Sequence, residues 1–338
     1  MYFRRMKIFL KFIFLFIVLS AVSCSKNGVI TVGFYNVENL FDTIDDPNTF
    51  DGEFLPDSAK AWNTDKYNTK LLNLSTVISD LNGGTPDFLG LCEIENKLVI
   101  QDLIKTPLLR TAKYKIIHEE SSDLRGIDVG AIYNPKVFKY IEHGMEKIDL
   151  SEFQQITRDI LWVKLEAKQT QENFYFLVNH WPSRRGGLEE SEPKRIKAAQ
   201  TLAALSARLI KEDPTANIVI MGDFNDEPSS HSLQTVASET SNAQLFNLMA
   251  DLEKNGKGSY CYRDDWNMLD QIIINSNLQD SKTWRYVANS VQIKDNEALR
   301  QHSEKYEGYP LRTFGGRNYL AGYSDHFAVS IQLRYSLH

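Results

Sequence analysis

The chain has 338 residues, of which 42% are hydrophobic, 11% aromatic and 24% charged, and this composition excludes an intrinsically disordered protein. The length fits two small domains or one large α/β domain, and no break in composition marks a boundary. A formal net charge of −6 disfavours tight non-specific duplex binding, which depends on neutralising phosphates, but it does not exclude nucleic acid as a substrate.

Residues 1–24 are predicted to be an export signal. Basic residues at positions 4, 5 and 7 precede an apolar run over residues 8–19, interrupted only by Lys11. This run is shorter than the ~20 residues that a membrane-spanning helix needs, so a permanent transmembrane anchor is disfavoured. Residues 1–24 contain four basic residues and no acidic residue, so the chain without them has a formal charge of −10.

Small residues lead into Cys24, and this pattern is similar to a bacterial lipoprotein processing site with cleavage before the cysteine. Plain cleavage of a signal peptide is the alternative, because Ala21 stands where such sites more often carry leucine. We therefore expect an exported protein, either secreted or anchored through lipid at Cys24 and facing the periplasm. Residues 25–338 are expected to form one domain.

The rest of the chain alternates predicted strands and helices. Apolar residues recur with helical period over residues 65–81 and about 193–210. Short β-branched and apolar runs predict strands at residues 29–40, 87–94, 129–133, 174–178, 218–221 and 269–274. Polar residues follow these strands, so the pattern predicts a layered α/β fold with a site along one sheet rim. The two cysteines in this part, Cys92 and Cys261, are predicted to be buried unpaired thiols.

Five polar clusters place chemically active side chains at the ends of predicted strands. In chain order they are YNVENLFD with Asn36 and Glu38, LCEIEN with Glu93, NHWPSRRGG with His180, GDFN with Asp223 and Asn225, and YSDH with Asp325 and His326. Each cluster alone is a weak signal, because Asp-His pairs and Gly-Asp dipeptides are common.

In this order the clusters resemble the endonuclease/exonuclease/phosphatase superfamily, and the resemblance extends from Val29 to Leu333. It implies a four-layer αββα sandwich of two packed mixed β-sheets flanked by helices, with the site at one end. The loops after His180 and around Arg125 are closest to those of secreted bacterial nuclease-like members.

The same resemblance implies a metal site centred on Glu93. Asn36, Glu38 and Asp325 would lie near the ion or contact it through water. Mg²⁺ is the expected ion, with Mn²⁺ or Ca²⁺ as alternatives, because a hard cation takes few carboxylates and keeps several waters. Cys92 precedes Glu93 where many members have glutamine, which removes a supporting hydrogen bond but not the ligand.

The resemblance also assigns roles in hydrolysis. Asp223 would orient or deprotonate the attacking water, and Asn225 would hold that water or a phosphate oxygen. His180 and His326 would donate to the non-bridging oxygens. Asp270 would pair with His326 and favour its charged form, the alternative being an aspartate that caps a turn at a strand end.

Three arginines are predicted to contact substrate phosphates: Arg125, Arg184 and Arg185. An arginine beside a phosphate site can form two parallel hydrogen bonds to it. The alternative is that these charges are solvated in surface loops.

The leading functional prediction is an exported metal-dependent phosphodiesterase that acts on nucleic acid. The alternative within the superfamily is a phosphatase or phospholipase-type hydrolase of inositol phosphates or phospholipid head groups. A more distant alternative is a binding lipoprotein without catalytic activity. The sequence predicts membrane attachment only through a lipid anchor at Cys24, and it implies no protein partner.

Overall fold

The computed structural model describes residues 27–240 and 244–337. The predicted export signal and Cys24 lie outside these residues. Within the described ranges, every helix is too short or too polar to span a lipid bilayer. Cys92 and Cys261 are both buried and unpaired, as predicted.

The strands are β1 (Asn27–Leu40), β2 (Phe88–Ile94), β3 (Lys115–His118), β4 (Asp128–Tyr133), β5 (Phe138–Glu146), β6 (Ile160–Ala167), β7 (Asn173–His180), β8 (Asn217–Asp223), β9 (Leu245–Asn247), β10 (Tyr260–Tyr262), β11 (Asp265–Asn267), β12 (Asp270–Asn275), β13 (Trp284–Tyr286), β14 (Gln292–Ile293), β15 (Phe314–Gly315), β16 (Asn318–Tyr319) and β17 (Val329–Ser336). The helices are α1 (Thr64–Ile78), α2 (Lys97–Lys105), α3 (Leu188–Glu212), α4 (His231–Glu239), α5 (Ala250–Lys254) and α6 (Asn277–Asp280). Short 3₁₀ turns cover Gly52–Phe54, Arg110–Ala112, Ser151–Phe153, Glu297–Leu299 and Glu304–Tyr306.

Two large mixed sheets form the centre of the fold. The first has the strand order β13-β17-β1-β2-β4-β3, with β14 also paired to β17. The second has the order β5-β6-β7-β8-β12-β9. In the first sheet β1 and β2 are parallel, and in the second β7 and β8 are parallel, while the other pairs are antiparallel.

Three apolar cores separate the layers. The largest lies between the two sheets and combines residues of both, such as Phe88 and Phe176, whose rings stack with centroids 3.8 Å apart. A second core packs α1 and α2 on the outer face of the first sheet. A third packs α3 and α4 on the outer face of the second sheet. The predicted αββα sandwich of two mixed sheets is confirmed.

The two predicted helices are present with different ends. The first ends at Ile78, and the chain then turns through residues 79–82. The second begins at Leu188, five residues before the expected start at Pro193. Pro193 is thus the sixth residue of the helix, beyond the first turn whose backbone donors have no partners, and it removes the hydrogen bond that position 193 would donate to the carbonyl of residue 189.

Candidate active site

The polar residues predicted for catalysis meet where strands of both sheets end. The parallel pairs β1/β2 and β7/β8 carry their carboxyl ends to this rim, and β12 begins there. Ion-pair and hydrogen-bond distances connect seven of the predicted residues, which we call the catalytic centre: Asn36, Glu93, His180, Asp223, Asn225, Asp270 and His326.

Asn36 connects the two sheets at the catalytic centre. Its Nδ2 donates to Glu93 Oε1 at 3.3 Å and to Asp223 Oδ2 at 3.1 Å. Its Oδ1 accepts from the backbone N–H of Glu38 at 3.0 Å. As placed, the Asn36 amide therefore orients the two carboxylates, and its oxygen is engaged by the backbone. The expectation that Asn36 contacts the ion stays a prediction.

Glu93 offers a partly exposed carboxylate of the kind that binds a metal ion. Its backbone is left-handed, with φ of 60°, and this turns the side chain out of the β2 pleat. Oε2 accepts from the backbone N–H of Asn39 at 2.9 Å, and the side chain remains 17% exposed. A hard cation such as Mg²⁺ takes one or two carboxylates and completes its shell with water, so this donor fits it.

The two histidines flank Asp223 from opposite sheets. His180 Nε2 lies 3.7 Å and His326 Nε2 lies 3.9 Å from Asp223 Oδ2. The predicted contact between Asp270 and His326 is present, because Asp270 Oδ2 lies 2.7 Å from His326 Nδ1. Ser259 Oγ donates to the same Asp270 oxygen at 2.5 Å.

The surroundings of the two histidines act on their pKa values in opposite directions. Burial lowers the pKa of His180 well below its ordinary value, and the charges of Arg158 and Arg125 lower it further. Burial also opposes the charged form of His326, but the Asp270 and Asp223 carboxylates outweigh it and raise this pKa well above its ordinary value. The centre therefore holds one neutral and one charged imidazole near neutral pH.

Asp223 and Asn225 are both buried within the catalytic centre. Burial raises the pKa of the Asp223 carboxyl above its usual range, and the charge of His326 opposes this rise. Asn225 has φ of 49°, its N–H donates to Asp223 Oδ1 at 2.9 Å, and its Nδ2 donates to the Trp181 carbonyl at 3.1 Å. A carboxylate with a raised pKa is suited to accepting a proton from water.

Glu38 and Asp325 meet around a residue that the sequence analysis missed, Arg312. Arg312 Nε donates to Glu38 Oε1 at 3.2 Å, and its Nη2 donates to Asp325 Oδ2 at 2.7 Å. Glu38 also accepts from the Thr313 N–H at 2.6 Å and lies 3.7 Å from the buried Lys70 Nζ. Both carboxylates are engaged by protein cations, so the expectation that they support an ion beside Glu93 stays a prediction.

The three predicted substrate arginines differ in their surroundings. Arg184 Nε donates to the Asn225 carbonyl at 2.8 Å, and its Nη1 donates to Asn267 Oδ1 at 2.6 Å, so much of this guanidinium connects loops of the protein. Arg185 is exposed, and Arg125 is largely exposed with Nε 3.4 Å from Asp123. Of the three, Arg125 and Arg185 remain accessible to a ligand.

The sequence analysis missed two further features near the rim. Buried Arg158 donates to Asp123 Oδ2 at 2.9 Å and to the Trp181 carbonyl at 3.0 Å, which fixes the chain beside His180. A second group of ligand-type side chains, with ligand atoms within 4.8 Å of one another, consists of His118, Glu120 and Asp128. Arg158, His118 and Glu120 belong to no local sequence motif, and Asp128 directly follows the loop around Arg125, so spacing alone could not join these residues.

Comparisons with known proteins identify the fold and family. The family model described as "Endonuclease/Exonuclease/phosphatase family" matches residues 31–335. No curated protein matches the chain. Among solved structures, a humanized D. rerio TDP2 is 16% identical, with a TM-score of 0.56, and covers 90% of this chain and 98% of its own.

Two structures from Bacteroides thetaiotaomicron are also similar. An endonuclease/exonuclease/phosphatase family protein is 14% identical, with a TM-score of 0.56, over 92% of this chain and 100% of its own. A mannosyl-6-phosphatase is 14% identical, with a TM-score of 0.57, over 90% and 99%. At these identities the likeness shows the fold alone and does not identify a substrate.

Proposed function

The chain belongs to the endonuclease/exonuclease/phosphatase family, whose members are metal-dependent phosphoester hydrolases, and on this premise we propose that it hydrolyses phosphodiester bonds of nucleic acid. The observation that carries the proposal is the position of Asp223 between two histidines, with His180 Nε2 3.7 Å and His326 Nε2 3.9 Å from Asp223 Oδ2, beside the partly exposed Glu93. A phosphoester hydrolase needs a proton acceptor for water and positive groups for the phosphate.

Each residue of the catalytic centre has a separate role in in-line hydrolysis. Asp223 accepts a proton from the attacking water, and Asn225 holds that water or a phosphate oxygen. His326 donates to a non-bridging oxygen as an imidazolium, since Asp270 supports its charge. His180 is neutral and donates from one ring nitrogen only.

Glu93, kept in place by Asn36 and the Asn39 N–H, would hold the divalent cation. When bound, a cation such as Mg²⁺ neutralises phosphate charge and stabilises the leaving oxygen. Mn²⁺ and Ca²⁺ also prefer oxygen ligands, so the ligand type does not distinguish the three ions. We propose Mg²⁺, with Mn²⁺ and Ca²⁺ as alternatives.

A substitution at Glu93 tests the proposed chemistry. Glu93→Gln keeps the size of the side chain and removes its charge, so we expect turnover of bis(p-nitrophenyl) phosphate in saturating Mg²⁺ to fall by about 10² or more. The folded state should persist, because the side chain lies at a rim. Glu212→Gln, on an exposed turn of α3, is the control. Wild-type turnover in Glu93→Gln would show that the metal assignment is wrong.

The substrate class is tested by a panel on the purified protein. It contains single-stranded and duplex DNA, RNA, inositol phosphates, sphingomyelin and mannose 6-phosphate. A nuclease cleaves the nucleic acids with the highest kcat/KM. Preferential release of phosphate from the monoesters, or cleavage of sphingomyelin, would instead establish a phosphatase or a phospholipase-type hydrolase.

We also propose that the protein is exported and anchored by lipid at Cys24. The basic residues, the apolar run over residues 8–19 and the small residues before Cys24 support this proposal. Cells producing the full chain should then hold it in the membrane fraction, and detergent should release it. Cys24→Ala should give a soluble or unprocessed form. Equal fractionation of the two proteins would contradict lipid anchoring.

A further inference from the structure

A large cleft lies next to the catalytic centre. It has a volume of about 970 Å³ and lies between the β10–β11 hairpin and residues 301–325. Its lining reaches Arg312 and Asp325, and Tyr260 at its inner end has its ring centroid 4.8 Å from that of His326. The seven residues of the catalytic centre do not line this cleft, so a ligand in it would reach a phosphate at the centre past Tyr260 and Asp325. The volume is at the upper end of the roughly 300–1,000 Å³ of small-molecule pockets, more than a single sugar phosphate needs.

The outer walls of the cleft carry exposed tyrosines with cations beside them. Tyr262 is 55% exposed, and the guanidinium carbon of Arg263 lies 5.2 Å from its ring centroid. On the opposite wall Tyr306 is 41% exposed, and Lys305 Nζ lies 5.0 Å from its ring centroid. Each wall thus presents an aromatic face and a positive charge together.

The two acidic residues of the lining have partners within the protein, a neutral hydroxyl for one and a guanidinium for the other. Asp264 Oδ1 accepts from the Tyr309 hydroxyl at 2.9 Å, and Asp325 is bound by Arg312 at 2.7 Å. The lining carries three cations, Arg263, Lys305 and Arg312, against these two carboxylates, so its formal charge is positive by one. In a chain of net negative charge, this makes the cleft a local site for an anion.

The two walls are held at a fixed separation. Arg263 and Asp264 form the two-residue turn of the hairpin, and their φ values of 53° and 69° match a tight primed turn. The Asp264 N–H donates to the Tyr309 hydroxyl at 2.6 Å, which ties the hairpin to the facing segment. A preformed cleft loses less entropy when it binds a ligand.

We propose that this cleft binds unpaired nucleotides of the substrate strand next to the scissile phosphate. Bases would stack on Tyr262 and Tyr306, and Arg263 and Lys305 would contact the flanking phosphates. Aromatic platforms combined with basic side chains are the features that bind single strands, whereas the bases of a duplex are already stacked and paired. The inference rests on the proposed function and specifies its substrate as single-stranded nucleic acid or a single-stranded end.

The test measures binding separately from cleavage. A labelled six-nucleotide phosphorothioate single strand, which resists hydrolysis, is titrated with the full-length protein in Mg²⁺, and anisotropy gives Kd. Tyr262→Ala and Tyr306→Ala should each raise Kd by about tenfold, while Tyr→Phe at either position should stay near the wild-type value. Tyr140→Ala, at a 42% exposed tyrosine on β5, is the matched control and should not change Kd.

The salt dependence of binding tests the two cations. Arg263→Ala and Lys305→Ala should each reduce the slope of log Kd against log salt by about 0.7, the value for one phosphate contact on a single strand. KM for cleavage of an unmodified strand should rise in these variants more than kcat falls.

Two results would overturn the inference: unchanged Kd in both alanine variants of the tyrosines, or binding of a blunt duplex as tight as that of the single strand. Each can occur while bis(p-nitrophenyl) phosphate is still hydrolysed in a Glu93-dependent way. The proposal about the cleft can therefore be rejected while the proposed function is kept. Absence of that hydrolysis would reject the proposed function, while the anisotropy result would still decide whether the cleft binds single strands.

Discussion

The two histidines of the catalytic centre differ because each has a different neighbour. His326 has the fully buried Asp270 carboxylate at 2.7 Å, whereas His180 Nδ1 has no hydrogen-bond partner among the described residues and has Arg158 and Arg125 nearby. One ring is therefore suited to carry a proton and the other to remain neutral. Two titratable groups whose pKa values are pushed apart can take separate roles at one pH.

Asp270→Asn should move the basic limb of the kcat/KM profile to lower pH. The substitution removes the nearest negative charge, so the pKa of His326 should fall. The protonated ring would then be lost at a lower pH, and its donation to phosphate with it. An NMR titration of the ring alongside the rate profile is the measurement. Asp251→Asn, on α5, is the control.

The raised pKa of His326 in the wild-type protein also affects the stability of the fold. A histidine whose folded-state pKa is raised stabilises the fold at pH values below its unfolded pKa, and this contribution disappears as pH rises through the folded value. Stability of Asp270→Asn should therefore depend less on pH above about 6.5, the ordinary histidine pKa. If both the rate profile and the ring titration match wild type, Asp270 has no electrostatic role.

At the level of elements, the site depends on where two neighbouring strands depart from regular geometry. β1 loses its register with β2 between Asn36 and Leu40, and β2 loses its register with β4 between Cys92 and Ile94. Asn39 and Glu93 are left-handed there, with φ of 51° and 60°. Bulges of this kind redirect side chains at strand ends, and they often occur beside active sites.

Asn39 provides a test of this backbone geometry. Its N–H donates to Glu93 Oε2, and its left-handed conformation suits asparagine or glycine but costs about 1–2 kcal/mol for other residues. Asn39→Ala should therefore lower the free energy of unfolding by about 1 kcal/mol relative to Asn39→Gly, measured by urea denaturation. Equal stabilities of the two variants would show that the backbone at Asn39 is not left-handed in solution.

The strand-end residues could be predicted from sequence, but their supporting contacts could not. An apolar run that ends in polar residues, such as residues 218–221 before Asp223, is a local signal. The contact between Arg312 and Glu38 joins residues 274 positions apart, and no periodicity or motif encodes that pairing. Arg184 was predicted to contact substrate because its loop is basic, but folding brings acceptors from two distant segments to it.

At the scale of the whole molecule, the catalytic centre is a junction between two sheets. Glu93 and Asn36 belong to the first sheet, and Asp223 and Asp270 belong to the second, while His326 lies just before β17 of the first. The distances within the centre therefore depend on how closely the sheets pack. A change in the inter-sheet core should affect catalysis even when no catalytic residue is altered.

Gly90 on β2 is where this dependence can be measured. A Cβ atom there would lie 2.8 Å from Met221 Sδ and 3.2 Å from atoms of Phe34 and Val178, all of which belong to the core between the sheets. Overpacking a core typically costs about 1–3 kcal/mol and shifts the backbone. Gly90→Val should lower the free energy of unfolding by about this amount.

The same substitution should lower kcat/KM at temperatures where the protein is still folded. Gly90 lies three positions before Glu93 on one sheet, and Met221 lies two positions before Asp223 on the other, so separating the sheets moves these two carboxylates apart. Positioning errors of about 1 Å can cost on the order of 10² in rate. Gly84→Val, at a turn where a Cβ atom meets nothing within 4 Å, should change stability by less than about 0.5 kcal/mol and leave kcat/KM unchanged. Wild-type activity in a destabilised Gly90→Val protein would mean that the geometry of the catalytic centre is set within each sheet and not by the packing between them.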